Sequence, residues 1–214
     1  MPPPKHKAQL SLDMSPYFDS SELSDCLIVV KGQDEERRFH AHRLILTASS
    51  TYFASLFSKL WTSSDAVQAP SKPEVTMQVV EDAANAQTVL EFLYGRHIEL
   101  DLASAHPLLR LAGYYGIDAL STMCVDYLER VLHPEPTRCF QLFGASDAAS
   151  STPSDPKLIA LCTEVIARSF ADVAEHEAFL GCSVELLLSV LERDDLAVEK
   201  EEARTDGAKQ PSLV

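Results

Sequence analysis

The chain has 214 residues, 46% of them hydrophobic and 23% charged, with a formal net charge of −14. Those proportions suit a chain that buries a core in one large or two small domains, and they exclude wholesale disorder. The acidic balance, with no Lys/Arg run longer than Arg37-Arg38, excludes a surface built to hold nucleic-acid phosphates.

Residues 1–20 are rich in Pro, Ser and Lys and are expected to form a loose N-terminal arm. The opening MPPPKHKAQLSLD lacks the uninterrupted apolar core of a secretory leader. No stretch approaches the ~20 apolar residues that span a bilayer, so no membrane partner is expected. CLIVV (26–30) is a short β-branched run suited to a buried strand, and KGQDEE supplies a turn. RRFHAH then alternates, with Phe39 and Ala41 on one face and His40 and His42 on the other, which completes a hairpin.

The period now switches. Tyr52, Phe53, Leu56, Phe57 and Leu60 fall on one face of an amphipathic helix, and the composition of WTSSDAVQAPSKP (61–73) predicts a loop. EVTMQVV (74–80) alternates as a third strand. Val89, Leu90, Leu93 and Tyr94 form a helical face ending at Gly95. Leu108, Leu109, Leu111, Ala112 and Tyr115 form another, stopped by Gly116. Asp118 is placed to cap the next helix, in which Leu120 to Leu132 keep the helical period until Pro134-Glu135-Pro136 breaks it. Beyond lie helices around Phe140–Phe143, Leu158–Phe170 and ELLLSVLERD, with ASSTPSDP (149–156) as a linker and a polar tail from 199.

His40 and His42 share a strand face, but a metal needs third and fourth ligands. His97 and His106 are distant in sequence and no cysteine lies near. The expectation is therefore an edge-strand His40 in solvent and a His42 that hydrogen-bonds where strand meets helix. There is no G-x-S-x-G, P-loop or G-x-G-x-x-G, and seven glycines leave little for a phosphate-cradling loop. Asp194-Asp195 and Glu201-Glu202 read as solvated charge. No enzymatic activity, cofactor or metal is expected. Five scattered cysteines (Cys26, Cys124, Cys139, Cys162, Cys182) without C-x-x-C spacing suit the reduced thiols of a cytoplasmic or nuclear protein. Ser212-Leu213-Val214 fits the Ser/Thr-x-apolar pattern captured by PDZ domains.

The ordered blocks SDCLIVV, FHAHRLILTASSTYFASLF, EVTMQVV, EFLYGRHIEL and LLRLAGYYGIDALSTMCVDYL together resemble a BTB/POZ domain. CTEVIARSFADVAEHEAFLGCSVELLLSVLERDDL resembles the BACK segment that follows many of them. The resemblance implies an α/β (α+β) fold with a small mixed sheet flanked by helices over 21–132, then an all-helical BACK-like segment over 135–198. It further implies a homodimer whose interface has a charged pocket lined by Asp25 and Arg43, with His42 in its framework.

Proteins of this type commonly act as substrate adaptors that dock a cullin scaffold in a ubiquitin ligase. The implied docking residues are Tyr52, Leu56, Leu60, Trp61, Thr62 and Tyr115. Thr62 stands where many adaptors have the glutamate of an apolar-x-Glu motif. The other role the family offers is a self-associating scaffold or transcriptional co-regulator that binds no cullin. Adaptors usually carry a separate substrate module, and none is legible here. Either the sequence is a piece of a longer chain, or an unknown substrate protein is recruited through the BACK-like helices, the 61–73 loop or the tails.

Overall fold

The computed structural model describes residues 13–32, 36–62, 72–78, 83–144, 156–182 and 184–193. Most of the expected arm, positions 63–71 of the expected loop, positions 79 and 80 of the third strand, the linker up to 155, the tail and the terminal Ser-Leu-Val lie outside those residues. The chain divides into two compact units, Met1–Cys124 and Val125–Val214.

In the first unit, β1 (Cys26–Lys31) is the middle strand of a mixed sheet in the order β2-β1-β3. It pairs antiparallel with β2 (Glu36–Ala41) and parallel with β3 (Glu74–Gln78). The register sets Phe39, Ile28 and Val75 in one row, and Val30 beside Met77; all five are buried. Val29 is buried on the opposite face, where Arg38 and Glu74 from the two edge strands form a 3.5 Å ion pair. A strand covered on both faces has no polar side to show, which is why CLIVV is a continuous apolar run.

Two helices make the crossover from β2 to β3: α1 (Arg43–Ser49) and α2 (Thr51–Thr62). The sequence period announces only α2. Ser50 breaks the path with extended backbone (φ −145°, ψ 125°). Its Oγ accepts the Phe53 N–H at 3.2 Å and so caps α2 from the N-cap position. The expected loop starts later than composition implies, because α2 continues through Trp61 and Thr62.

Next come α3 (Ala83–Leu93), α4 (Leu102–Tyr114) and α5 (Asp118–Leu132), in which the division between the units falls. α4 begins well before its first expected apolar residue, because Asp101 and Ser104 form a reciprocal capping box. Asp118 is the first helical residue of α5, not its cap.

Gly95 (φ +77°) and Gly116 (φ +59°) end α3 and α4 in the same manner. Arg96 N–H donates to Glu91 O and Gly95 N–H to Phe92 O; Ile117 N–H donates to Ala112 O and Gly116 N–H to Gly113 O. These are Schellman closures, whose left-handed residue is cheapest as glycine. Each leaves a tyrosine, Tyr94 or Tyr115, as the last half-helical residue.

The second unit is helical in its described residues: α6 (Arg138–Gly144), α7 (Pro156–Arg168), α8 (Phe170–Ala174), a 3-10 turn (Glu177–Gly181) and α9 (Val184–Leu191). Phe179 makes edge contacts with both Phe140 and Phe170, at 6.0 and 6.1 Å between ring centroids. Cys139, Cys162, Val165, Ile166, Leu186 and Val190 are buried there.

Candidate interaction surfaces

The first candidate surface lies where β2 runs into α1. His42 is the residue between them, buried, and both ring nitrogens are engaged. Nε2 is 2.8 Å from Glu22 O and Nδ1 is 2.9 Å from the Tyr94 hydroxyl. A carbonyl oxygen only accepts, so Nε2 carries the proton and Nδ1 accepts from Tyr94. The same hydroxyl accepts the His42 backbone N–H at 3.0 Å. Burial pushes the Tyr94 hydroxyl up to about 12, keeping it a neutral donor. The Schellman closure at Gly95 fixes Tyr94 at the end of α3, and this is what delivers its hydroxyl to the junction.

Asp25 reaches the same junction from β1's leading edge. Its Oδ1 accepts the Arg43 backbone N–H at 2.8 Å, and its Oδ2 accepts Arg43 Nε at 2.9 Å. Burial would raise the carboxyl, but the Arg43 N–H, its guanidinium hydrogen bond and its charge outweigh that and hold Asp25 below the usual carboxylate range. Both side chains remain partly exposed. Pairs of that exposure contribute about 0.2–1 kcal/mol, so the interaction sets geometry more than stability. Leu23 and Leu44, one on each of the laced segments, are 77% and 80% exposed. Tyr17 and Phe18, within the expected loose arm, pack against His42 and against Phe39 and Tyr94 respectively.

His40 and His42, expected on one strand face, are not both strand residues, since β2 ends at Ala41. His42 lies beyond the strand with both nitrogens occupied. His40 is half-buried, 3.5 Å from Ser24 Oγ, and its backbone N–H donates to Asp19. Lys72 Nζ donates to Ser24 Oγ at 2.5 Å, which uses the hydroxyl as an acceptor and does not activate it. No group of three or more His, Cys, Asp or Glu among the described residues is placed to hold a metal. Burial raises the thiols of Cys26 and Cys124 to about 12 and about 11, the reverse of an activated nucleophile.

The second candidate surface joins α2 to the turn between α4 and α5. Ser50 Oγ donates to Tyr115 O at 2.5 Å and Thr51 N–H donates to Gly116 O at 3.1 Å, locking the start of α2 onto that turn. On α2, Phe53 and Phe57 point inward while Tyr52 and Leu56 are half-buried at the edge of the stripe.

Tyr115, expected to meet a partner, is 1% exposed. Its ring stacks on Phe53 (5.8 Å, 9°), so it supports the surface from below. Tyr114 is the exposed one, at 69%. It lies edge-on to Tyr115 at 4.9 Å and tilted to Tyr52 at 5.9 Å. Tyr52, Leu56, Lys59 and Tyr114 line an open cleft there. Leu60, Trp61 and Thr62 fall in the last turn of α2.

Reading the sequence missed Tyr94, Tyr114, Leu23 and Leu44. The signal for the tyrosines was present: each precedes or nearly precedes a helix-ending glycine, in LYG and YYG. The leucines carried none.

A three-stranded mixed sheet with helical crossovers and a helical continuation defines a small α/β module followed by an all-α segment. The model of the BTB/POZ domain family matches residues 14–132, and the model described as BTB And C-terminal Kelch matches residues 139–206. The chain belongs to the BTB/POZ domain family and carries a BACK segment. Kelch repeat and BTB domain-containing protein 8 of Xenopus tropicalis is 29% identical over 93% of this chain and 30% of its own length. Kelch-like protein 40 of Mus musculus is 32% identical over 87% and 27%, and Kelch-like protein 41 of Homo sapiens 29% over 87% and 28%. The chain thus spans less than a third of these relatives. No helix among the described residues is long and apolar enough to cross a membrane.

Proposed function

We propose that the chain acts without catalysis, as a homodimeric adaptor that binds a cullin scaffold and brings a substrate protein to a ubiquitin ligase in the cytoplasm or nucleus. The self-association face is the junction around Asp25, Arg43 and His42. The docking face is α2 with the α4–α5 turn, where Tyr52, Leu56 and Tyr114 meet the partner; Leu60, Trp61 and Thr62, in the last turn of α2, are the further docking candidates. Proximity is the mechanism, and a dimer doubles the valency.

The observation that carries the docking half is Tyr114. A 69% exposed aromatic held on a buried aromatic stack loses little freedom on binding, which is what an interface anchor requires. The test is capture of cullin N-terminal domains by the purified chain, across a panel. Selective retention of one cullin, weakened at least tenfold by Tyr114→Ala with the fold intact, is the expected result. No capture by a well-folded chain would overturn the docking half. It would favour the second reading, a self-associating scaffold or transcriptional co-regulator, to which Thr62 in place of glutamate already points.

A further inference from the structure

We propose that Cys182, Cys139 and Cys162 form a thiol relay: the partly exposed Cys182 takes the oxidising equivalent of a hydroperoxide, and Cys139 passes it inward to close a disulfide with Cys162. All three belong to the second unit and to neither interaction surface.

Three elements bring these thiols together. Cys139 is the second residue of α6, with its N–H donated to Pro136 O at 3.0 Å. Cys162 lies at the middle of α7, and both side chains are fully buried. The Cys162 S–H donates to Cys139, so the two sulfurs are in contact. Cys182 closes the 3-10 turn, its N–H donating to Phe179 O at 3.1 Å. The Phe179 ring in turn meets that of Phe140, the neighbour of Cys139, at 6.0 Å. The charge of a Cys139 thiolate is accordingly felt at Cys182.

Cys139 thus stands between an entry thiol and an interior one. A buried cysteine alone is ordinary packing. Three in sequence, ordered from half-exposed to fully enclosed, make a route. Cys26 and Cys124 lie off it: among the described residues no thiol acts on either.

The chemistry balances in three steps. The Cys182 thiolate attacks one peroxide oxygen, so that an S–O bond forms and the O–O bond breaks. The departing oxygen takes the thiol's proton and leaves as water or an alcohol; sulfur loses two electrons and the peroxide gains them. The Cys139 thiolate then attacks the Cys182 sulfur, S–S replaces S–O, and the hydroxyl leaves as water with the Cys139 proton. Finally Cys162 attacks the Cys139 sulfur. The Cys139–Cys162 bond forms, the Cys139–Cys182 bond breaks, and the Cys162 proton passes to the Cys182 thiolate. Burial holds the Cys182 thiol up, so entry is slow, while the two later steps are intramolecular. The final bond lies where the sulfurs already touch and where soluble reductants have least access.

The test exposes the reduced full chain to hydrogen peroxide and follows disulfides by non-reducing peptide mass mapping over time. The expected course is a Cys139–Cys182 linkage that appears first and gives way to Cys139–Cys162, with Cys26 and Cys124 still reduced. Cys182→Ser should slow the Cys139–Cys162 bond by at least about tenfold, because the entry thiol is gone. Cys162→Ala should leave Cys139–Cys182 as the end product; if that buried variant fails to fold, the wild-type time course still decides the order. A Cys139–Cys162 bond formed at the wild-type rate in Cys182→Ser would overturn the relay. So would sulfinic acid at Cys182 with no linkage, pairing that includes Cys26 or Cys124, or three thiols that all stay reduced.

Discussion

A Cβ added to Gly116 would lie 1.9 Å from Thr51 Oγ1, and the backbone there is already left-handed. Gly116→Ala should therefore destabilise the fold by about 1–3 kcal/mol, read by urea unfolding. Removing Oγ1 with Thr51→Ala leaves the threonine Cβ position at 3.2 Å, a contact that small movements relieve. The double variant should recover part of the loss, leaving mainly the backbone cost; full additivity would mean that the clash relaxes by another route. Asp25 gives a prediction in pH. Its carboxyl is held below the usual range in the folded protein, so it contributes stability that is present above the ordinary carboxylate range and lost as pH falls through the folded value. Asn at this position still has an oxygen for the Arg43 N–H but lacks the charge. Asp25→Asn should lower neutral-pH stability by no more than about 1 kcal/mol, given the exposure of the pair, and the gap should close as pH falls. A gap that persists at low pH would show that the loss comes from packing and not from charge.

Ser50 matters to two elements at once, capping α2 through Phe53 N–H and tying it to the α4–α5 turn through Tyr115 O. It is buried, so Ser50→Ala strands both partners and should cost about 1–2 kcal/mol in urea unfolding; a cost within error would show that water replaces the hydroxyl. Neither the break at Ser50 nor α1 was legible in the sequence. A seven-residue helix gives too short a period, and Ser50's second bond reaches a carbonyl 65 positions away. What depends on local chemistry was legible: the alternation of β3, the continuous run of β1, and the glycines that end α3 and α4. Tyr115 had two conflicting expectations. The helical period placed it on the apolar face with Leu108 and Ala112, while the family resemblance placed it against a partner. The period prevailed, because the Schellman closure keeps the residue before the glycine on the helix's own path. Leu23, exposed on a left-handed backbone (φ +57°), could not have been found this way, since nothing in a leucine's neighbours announces that conformation.

At the scale of the whole molecule, the five thiols give each unit its own reporters. Cys26 and Cys124 belong to the first unit, and Cys139 and Cys162 to the second; all four are buried, while Cys182 is partly exposed. Burial also raises the thiols of Cys26, Cys124 and Cys182, and the hydrogen bond that the Cys162 S–H donates to Cys139 raises that of Cys162. The thiolate is the reacting species, so low access and a raised pKa act in the same direction. The native chain at neutral pH should therefore show one slowly reacting thiol, Cys182, with the other four labelled only through unfolding. Peptide mass mapping after a short alkylation pulse distinguishes them. Rapid native labelling of Cys139 or Cys162 would mean that the helical unit opens far more readily than its buried core implies. Repeating the pulse through a urea series lets each buried pair report the opening of its own unit. A single midpoint for both pairs would show that the continuous α5 couples the two units in unfolding, and separate midpoints would show that each folds on its own core.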